Sequence, residues 1–115
     1  MEIKVLHKQE KSSYQIRFTD NFTNLIGKNT KKYEKIAIVT DTNIYKLYRR
    51  YLVSKNVLVI KINPGEKSKS NKTKIHIEEL LFKHHFNRKS LLVAIGGGVV
   101  GDLAAFVAST YMRGI

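Results

Sequence analysis

The chain has 115 residues, 43% of them apolar, which fits one domain or part of one with a packed core and excludes a chain disordered throughout. It contains no cysteine, so disulfides and cysteine-ligated zinc are excluded. The formal charge of +12 comes mostly from scattered lysines such as Lys4, Lys8, Lys28, Lys46, Lys55, Lys74 and Lys89; with no interleaved aromatics and no nucleic-acid-binding motif, a solvated basic surface is expected and no nucleic-acid partner.

Residues 1–11 alternate charged and apolar side chains and lack the apolar block of a secretory leader, so a cytoplasmic protein is expected. Residues 2–8 and 13–18 alternate apolar and polar positions around a polar 9–12, the pattern of a β-hairpin, here placed at a sheet edge. Asp20 is positioned to cap a short helix carrying Phe22, Leu25 and Ile26, with Gly27 closing it and 29–33 as a polar connector. Ile36-Ala37-Ile38-Val39 marks a strand within 35–40. Asp41 or Thr42 then caps a helix in which Ile44, Leu47, Tyr48, Tyr51 and Leu52 fall at i, i+3, i+4, i+7 and i+8, a single apolar face. Residues 57–62 form the next strand and Asn63-Pro64-Gly65 a turn. A helix over about 70–86 buries Ile77, Leu80, Leu81 and Phe86. The unbroken apolar run 91–95 has the composition of a central parallel strand buried on both faces. Three glycines end it, and 99–112 forms a final helix.

Strand–helix alternation of this kind predicts an α/β fold: a Rossmann-like parallel sheet flanked by helices, preceded by the hairpin. The last helix, with Val100, Leu103, Ala104, Ala105, Phe106, Val107 and Ala108, has almost no polar face. A helix in a three-layer domain buries one side only, so its other side is expected to be covered by something further, and the chain is expected to be truncated. A membrane span over 91–112 is excluded by Asp102 and three adjacent glycines, although about 20 residues would suffice in length.

Gly96, Gly98 and Gly101 satisfy G-x-G-x-x-G between a strand and a helix, where glycines admit a pyrophosphate to backbone N–H groups at a helix start. The motif follows the third parallel strand instead of the first; the alternative is a plain tight turn. Asp102, placed in the first helical turn, either complements the helix dipole or accepts a hydrogen bond from a cofactor. A second polar cluster runs through Pro64, Gly65, Glu66, Lys67, Ser68, Lys69 and Ser70, at the strand edge where open α/β sheets bind ligands. Its Lys and Ser side chains suit phosphate and Glu66 suits ribose; the alternative is an ordinary loop. Asp41-Thr42-Asn43 reaches the same edge, with helix capping as its alternative. His76, His84 and His85 lack the paired spacing of a zinc helix and His7 stands alone, so no metal site is expected here.

Residues 96–114, GGGVVGDLAAFVASTYMRG, resemble the signature of 3-dehydroquinate synthases, and Gly65-Glu66-x-x-Lys69-Ser70 is similar to that family's other amino-terminal motif. With the strand end at 39–43, the resemblance covers most of the chain from Ile36 onward; the hairpin matches only in character. The resemblance implies that Pro64, Gly65, Glu66, Lys67, Ser68 and Lys69 lie along NAD, Glu66 and Lys69 most directly. It implies that Gly97, Gly98, Val99, Val100, Gly101 and Asp102 hold the pyrophosphate and nicotinamide side. Asp41 and Asn43 lie toward the adenosine ribose. Arg113 belongs to an anionic-substrate pocket, acting across a homodimer interface. One departure is Pro64, where many relatives have Asp or Ser; it bears on a side-chain contact and not on the turn.

The family enzyme converts a seven-carbon phosphorylated keto-acid to 3-dehydroquinate with phosphate elimination, in the shikimate pathway to aromatic amino acids. NAD serves as a transient oxidant and zinc or another divalent metal polarises the reacting hydroxyl. Its metal ligands belong to a helical carboxyl-terminal domain. The resemblance therefore implies that residues 1–115 are an incomplete NAD-binding domain without catalytic residues or activity of its own. The alternatives are another sugar-phosphate cyclase of the superfamily, a metal-dependent polyol dehydrogenase, which the match beyond Asp102 disfavours, and a basic nucleic-acid-binding module.

Overall fold

A computed structural model describes residues 2–7, 12–21, 27 and 31–115. The chain runs through β1 (Glu2–His7), β2 (Ser12–Arg17), β3 (Ile36–Asp41), α1 (Thr42–Leu52), β4 (Val57–Ile62) and a 3-10 turn (Glu66–Ser68). It continues through α2 (Asn71–Lys83), β5 (Leu91–Ile95), α3 (Gly98–Thr110) and a second 3-10 turn (Tyr111–Arg113).

The strands β4-β3-β5 form a parallel sheet in that order. The middle place belongs to β3, whose Ala37, Ile38, Val39 and Thr40 are all buried. Side chains alternate across a strand, so Ala37 and Val39 join Ile60 and Ile62 under α2 and α3, in one cluster with Ile77, Leu81, Val100, Leu103 and Val107. Ile38 and Leu52 are buried outside that cluster, on the side that α1 covers. Thr40, the one hydroxyl in this run, donates to the Ile95 carbonyl at 2.7 Å and so ties the carboxyl ends of β3 and β5 together.

Several expectations change. The run 91–95 does not take the central position: among the described residues β5 is an edge strand, mostly half-buried, with Ala94 exposed. Apolar runs in central and edge strands look alike when helices cover the sheet. The hairpin is present, with Glu2 opposite Arg17 and His7 opposite Ser12, but it is a separate two-stranded sheet and not an edge of the parallel one. The short helix placed over Phe22, Leu25 and Ile26 lies outside the described residues.

Helix α1 starts where Asp41 Oδ1 accepts from the Ile44 N–H at 2.8 Å. Of its apolar stripe only Leu52 is buried; Leu47 is 70% exposed, and Tyr48 and Tyr51 are also open. Periodicity identifies the apolar face of a helix but not how much of it a neighbour covers. Helix α2 is capped by Ser70, whose Oγ accepts from Thr73 N–H, and it ends at Lys83, earlier than expected. His85 adopts φ 61°, which turns the chain and returns Phe86 to the core from beyond the helix. Helix α3 buries Val100, Leu103, Ala104 and Val107 and leaves Phe106 48% exposed, so one apolar side is uncovered as composition indicated. No helix of the described residues is long and apolar enough to cross a membrane.

The end of α3 is anchored by Tyr111, a buried side chain whose hydroxyl donates to the Phe86 carbonyl at 2.8 Å. Tyr111→Phe removes that donor and leaves the carbonyl without its partner, so urea unfolding should show a loss of about 1–2 kcal/mol. Burial first, and the Glu78 charge second, raise the Tyr111 pKa above its ordinary 10.0. The folded state thus keeps the phenol proton where the unfolded chain has released it. Its contribution is complete below pH 10.0 and is lost as pH climbs through the raised value. The Phe variant should lose less stability than the parent between about pH 9 and about pH 11, measured by urea midpoints.

Candidate functional site

Parallel strands deliver the loops that follow them to one edge of the sheet. Asp41 opposite Ile62 and Thr40 opposite Ile95 bring the ends of β3, β4 and β5 level. The loops carrying Asp41 and Asn43, residues 63–70, and residues 96–102 therefore share that edge.

The glycine loop divides into structural and open positions. Gly96 has φ 157°, and a Cβ there would lie 2.8 Å from Val100 Cγ2, so this position excludes a side chain for packing reasons alone. At Gly97, Gly98 and Gly101 a Cβ would meet nothing within 4 Å. Gly97 occupies the cap position of α3 and provides no side-chain acceptor, whereas Asp41 caps α1 and Ser70 caps α2. The first N–H groups of α3 thus have no side-chain cap. Val99 is half-buried against the core and Val100 is fully inside; their side chains fix the helix start, leaving only their backbone for a ligand.

Asp102 is the fifth residue of α3, past the first turn where the sequence placed it. It does not cap the helix. Its Oδ2 instead lies 2.7 Å from Lys69 Nζ, joining the 63–70 turn to α3. The hydrogen bond and charge of Asp102 hold the Lys69 pKa above its usual value, with Glu66 adding to the effect. Both partners are exposed, so the contact orients the two loops more than it stabilises the fold. Beside it opens a cleft of about 440 Å³ walled by Lys69, Ser70, Asn71, Asp102, Leu103 and Phe106.

Within the 63–70 turn, Gly65 has φ 101°, a left-handed conformation that glycine adopts without penalty. Ser68 is buried and its hydroxyl donates to the Asn63 carbonyl, so that group closes the turn. Pro64, Glu66 and Lys67 are exposed. Asp41 commits one oxygen to capping α1, and Asn43 is exposed at the start of that helix. Arg113 is not brought to these loops: α3 separates it from Gly98 by roughly 20 Å at 1.5 Å per residue. It lies in a reversal where Met112, Arg113 and Gly114 have φ 47°, 67° and 116°. Sequence reasoning missed the Lys69–Asp102 pair and the Thr40–Ile95 link, which join residues 33 and 55 positions apart. No local pattern announces either. Among the described residues no three His, Cys, Asp or Glu side chains gather as a metal donor set.

Residues 59–115 match the family model described as 3-dehydroquinate synthase N-terminal. The 3-dehydroquinate synthase of Clostridium kluyveri is 40% identical over 117 aligned residues, covering 92% of this chain and 32% of that protein. That of Streptococcus agalactiae serotype V is 48% identical over 88, covering 71% and 25%. The chain is similar to the amino-terminal part of the 3-dehydroquinate synthases. It spans between a quarter and a third of the length of those relatives. A solved structure of 2-deoxy-scyllo-inosose synthase, complexed with carbaglucose-6-phosphate, NAD+ and Co2+, superimposes on the whole chain and a third of its own, with TM-score 0.80 at 20% identity. That likeness establishes a shared fold. The family match runs through the glycine loop, the Lys69–Asp102 pair and the Tyr111 anchor, and leaves the β3 end with Asp41 and Asn43 outside it.

The two classes of glycine can be separated by substitution. Gly96→Ala should destabilise the fold by about 1–3 kcal/mol, through the contact with Val100 and the positive φ. Gly98→Ala should leave unfolding within about 1 kcal/mol of the parent, since its Cβ enters open space at a helix start. Urea denaturation of both variants checks this.

Proposed function

We propose that residues 1–115 are the incomplete NAD-binding domain of a 3-dehydroquinate synthase. The observation that carries this reading is the uncapped start of α3 at a glycine loop, open where side chains would otherwise stand. A pyrophosphate fits there because the N–H groups of Gly98, Val99 and Val100 lack a side-chain cap and the helix dipole favours an anion. Gly97, Gly98 and Gly101 would let the backbone approach it closely. Lys69 would neutralise charge at one wall, Asp102 would accept from the nicotinamide end, and Glu66 would accept from a ribose. Pro64, Gly65, Lys67 and Ser68 would shape the turn along the cofactor, Ser68 from inside it. Asp41 and Asn43 would face the adenosine ribose.

NAD, when bound, would supply a reversible oxidation of a substrate hydroxyl. The substrate in this reading is the seven-carbon phosphorylated keto-acid, and the outcome is phosphate loss and 3-dehydroquinate, for aromatic amino acid synthesis in the cytoplasm. A divalent metal such as zinc would be needed as well, and the described residues gather no donor set that fits it. Arg113, distant from the loops, would serve an anionic substrate across a homodimer interface. The identity of 40–48% to 3-dehydroquinate synthases favours this substrate over those of sister cyclases, whose likeness rests on fold.

A chimera tests the assignment. This chain, replacing the matching third of the Clostridium kluyveri enzyme, should give a protein that binds NAD and releases phosphate. The same chimera with Gly98→Val should retain its fold and lose NAD binding, and the 115-residue chain alone should release no phosphate. Unchanged NAD affinity in the Val variant would remove the glycine loop from the cofactor site.

The homodimer carries its own test. Phe106 and Met112 leave apolar surface exposed along α3 and the turn after it, while the +12 charge opposes close approach. Added salt shortens the range of that repulsion, so sedimentation should show association rising with ionic strength. A monomer at every salt concentration would count against the dimer.

A further inference from the structure

The reversal after α3 is tighter than its residue types favour. Gly114 N–H donates to the Tyr111 carbonyl at 2.8 Å, and the residues between them, Met112 and Arg113, have φ 47° and 67°. Positive φ at both central places is the mark of a type I′ turn, which Asn and Gly occupy at least cost. Met and Arg carry side chains that crowd this left-handed backbone. Both flanks are pinned. Tyr111 is buried with its hydroxyl on the Phe86 carbonyl. Ile115 packs against the core cluster, and its N–H donates to the Ala108 carbonyl at 2.8 Å.

Little at these two places offsets the strain. Arg113 is exposed, and among the described residues its side chain has neither an ion pair nor a hydrogen bond. Met112 is 42% exposed and borders the groove that holds Ile75 and Phe82. The strain does have one effect. A residue with a Cβ at positive φ is confined to a small left-handed region, whereas glycine ranges widely there. Two such residues in succession, between pinned ends, leave the turn one backbone conformation. Arg113 thereby departs from a fixed base, carrying a planar donor fork suited to carboxylate or phosphate. Strained backbone that the surrounding structure over-determines is characteristic of functional sites.

We propose that this turn is a rigid mount for Arg113, and that Met112 is a positioning residue whose confined backbone lets the guanidinium meet an anionic group of the substrate without first being ordered. The substrate part rests on the reading of Arg113 given above; the mount does not.

Amide order parameters from NMR relaxation of the 115-residue chain test the mount. Met112, Arg113 and Gly114 should be as ordered as α3 in the parent and in Met112→Asn, and clearly more mobile in Met112→Gly. Urea midpoints should place Met112→Asn above Met112→Ala, because both lose the methionine side chain and only Asn tolerates the left-handed region. A glycine variant as ordered as the parent, or an alanine variant as stable as the asparagine one, would overturn the mount.

In the Clostridium kluyveri chimera, Met112→Gly should raise KM for the phosphorylated keto-acid at least about threefold, with kcat and NAD affinity unchanged. Met112→Asn should stay within about twofold of the parent KM. Equal rises in both variants would assign the effect to the lost methionine side chain, and no rise in either would detach the turn from the substrate; each result overturns the positioning role. An unsubstituted chimera that releases no phosphate would sink the substrate reading alone, and the order parameters would still decide the mount.

Discussion

The missing side chain at Gly96 determines how the carboxyl edge of the sheet is built. Because nothing projects from that residue, Val100 packs against its backbone and only two residues separate the end of β5 from the start of α3. Val100 then enters the core beside Leu103 and Val107, which fixes the helix axis over Ala37 and Val39. Everything proposed for the edge follows from that placement. The start of α3, without a side-chain cap, stands level with the β3 and β4 loops, and Asp102 arrives where Lys69 can reach it.

Two kinds of polar interaction operate around this edge. Inside, Thr40, Ser68 and Tyr111 each spend a hydroxyl on a backbone carbonyl, and each closes a joint between elements. Such bonds are costly to lose because the freed carbonyl has no water to turn to. Outside, Lys69 and Asp102 are hydrated and contribute orientation more than stability. A basic surface is compatible with both, since the lysines leave the apolar cluster undisturbed and their repulsion is screened by salt.

Much of this architecture was legible in the residues. The alternation of Ile36–Asp41, α1, β4, α2, β5 and α3 follows from apolar period and turn chemistry, and Asp41 caps α1 as its type and place indicate. The glycine run marked its own turn. What could not be read depends on partners distant in sequence. Leu91–Ile95 and Ile36–Asp41 are similarly apolar, and only pairing decides that the second lies in the middle. Leu47 belongs to a regular apolar stripe, yet it is exposed because no described element covers it. The positive φ of His85, which ends α2 early, is imposed by the return of Phe86 to the core and not by any turn residue. Lys69 and Asp102 each looked like independent ligand contacts, and their mutual contact is a product of the fold.

The strand order has a kinetic consequence. Hairpin β1–β2 closes over a few residues, but β3 finds β4 only after α1 and finds β5 only after α1, β4 and α2. The Thr40–Ile95 bond spans 55 positions. Loop closure over such distances is paid in entropy before any contact offsets it, and parallel pairing is slow for that reason. The central strand therefore has one unsatisfied side until β5 docks, and the three loops acquire their common edge at that same moment. Assembly of the edge and completion of the sheet are one event on the folding pathway, so a substitution that slows β5 docking delays both together.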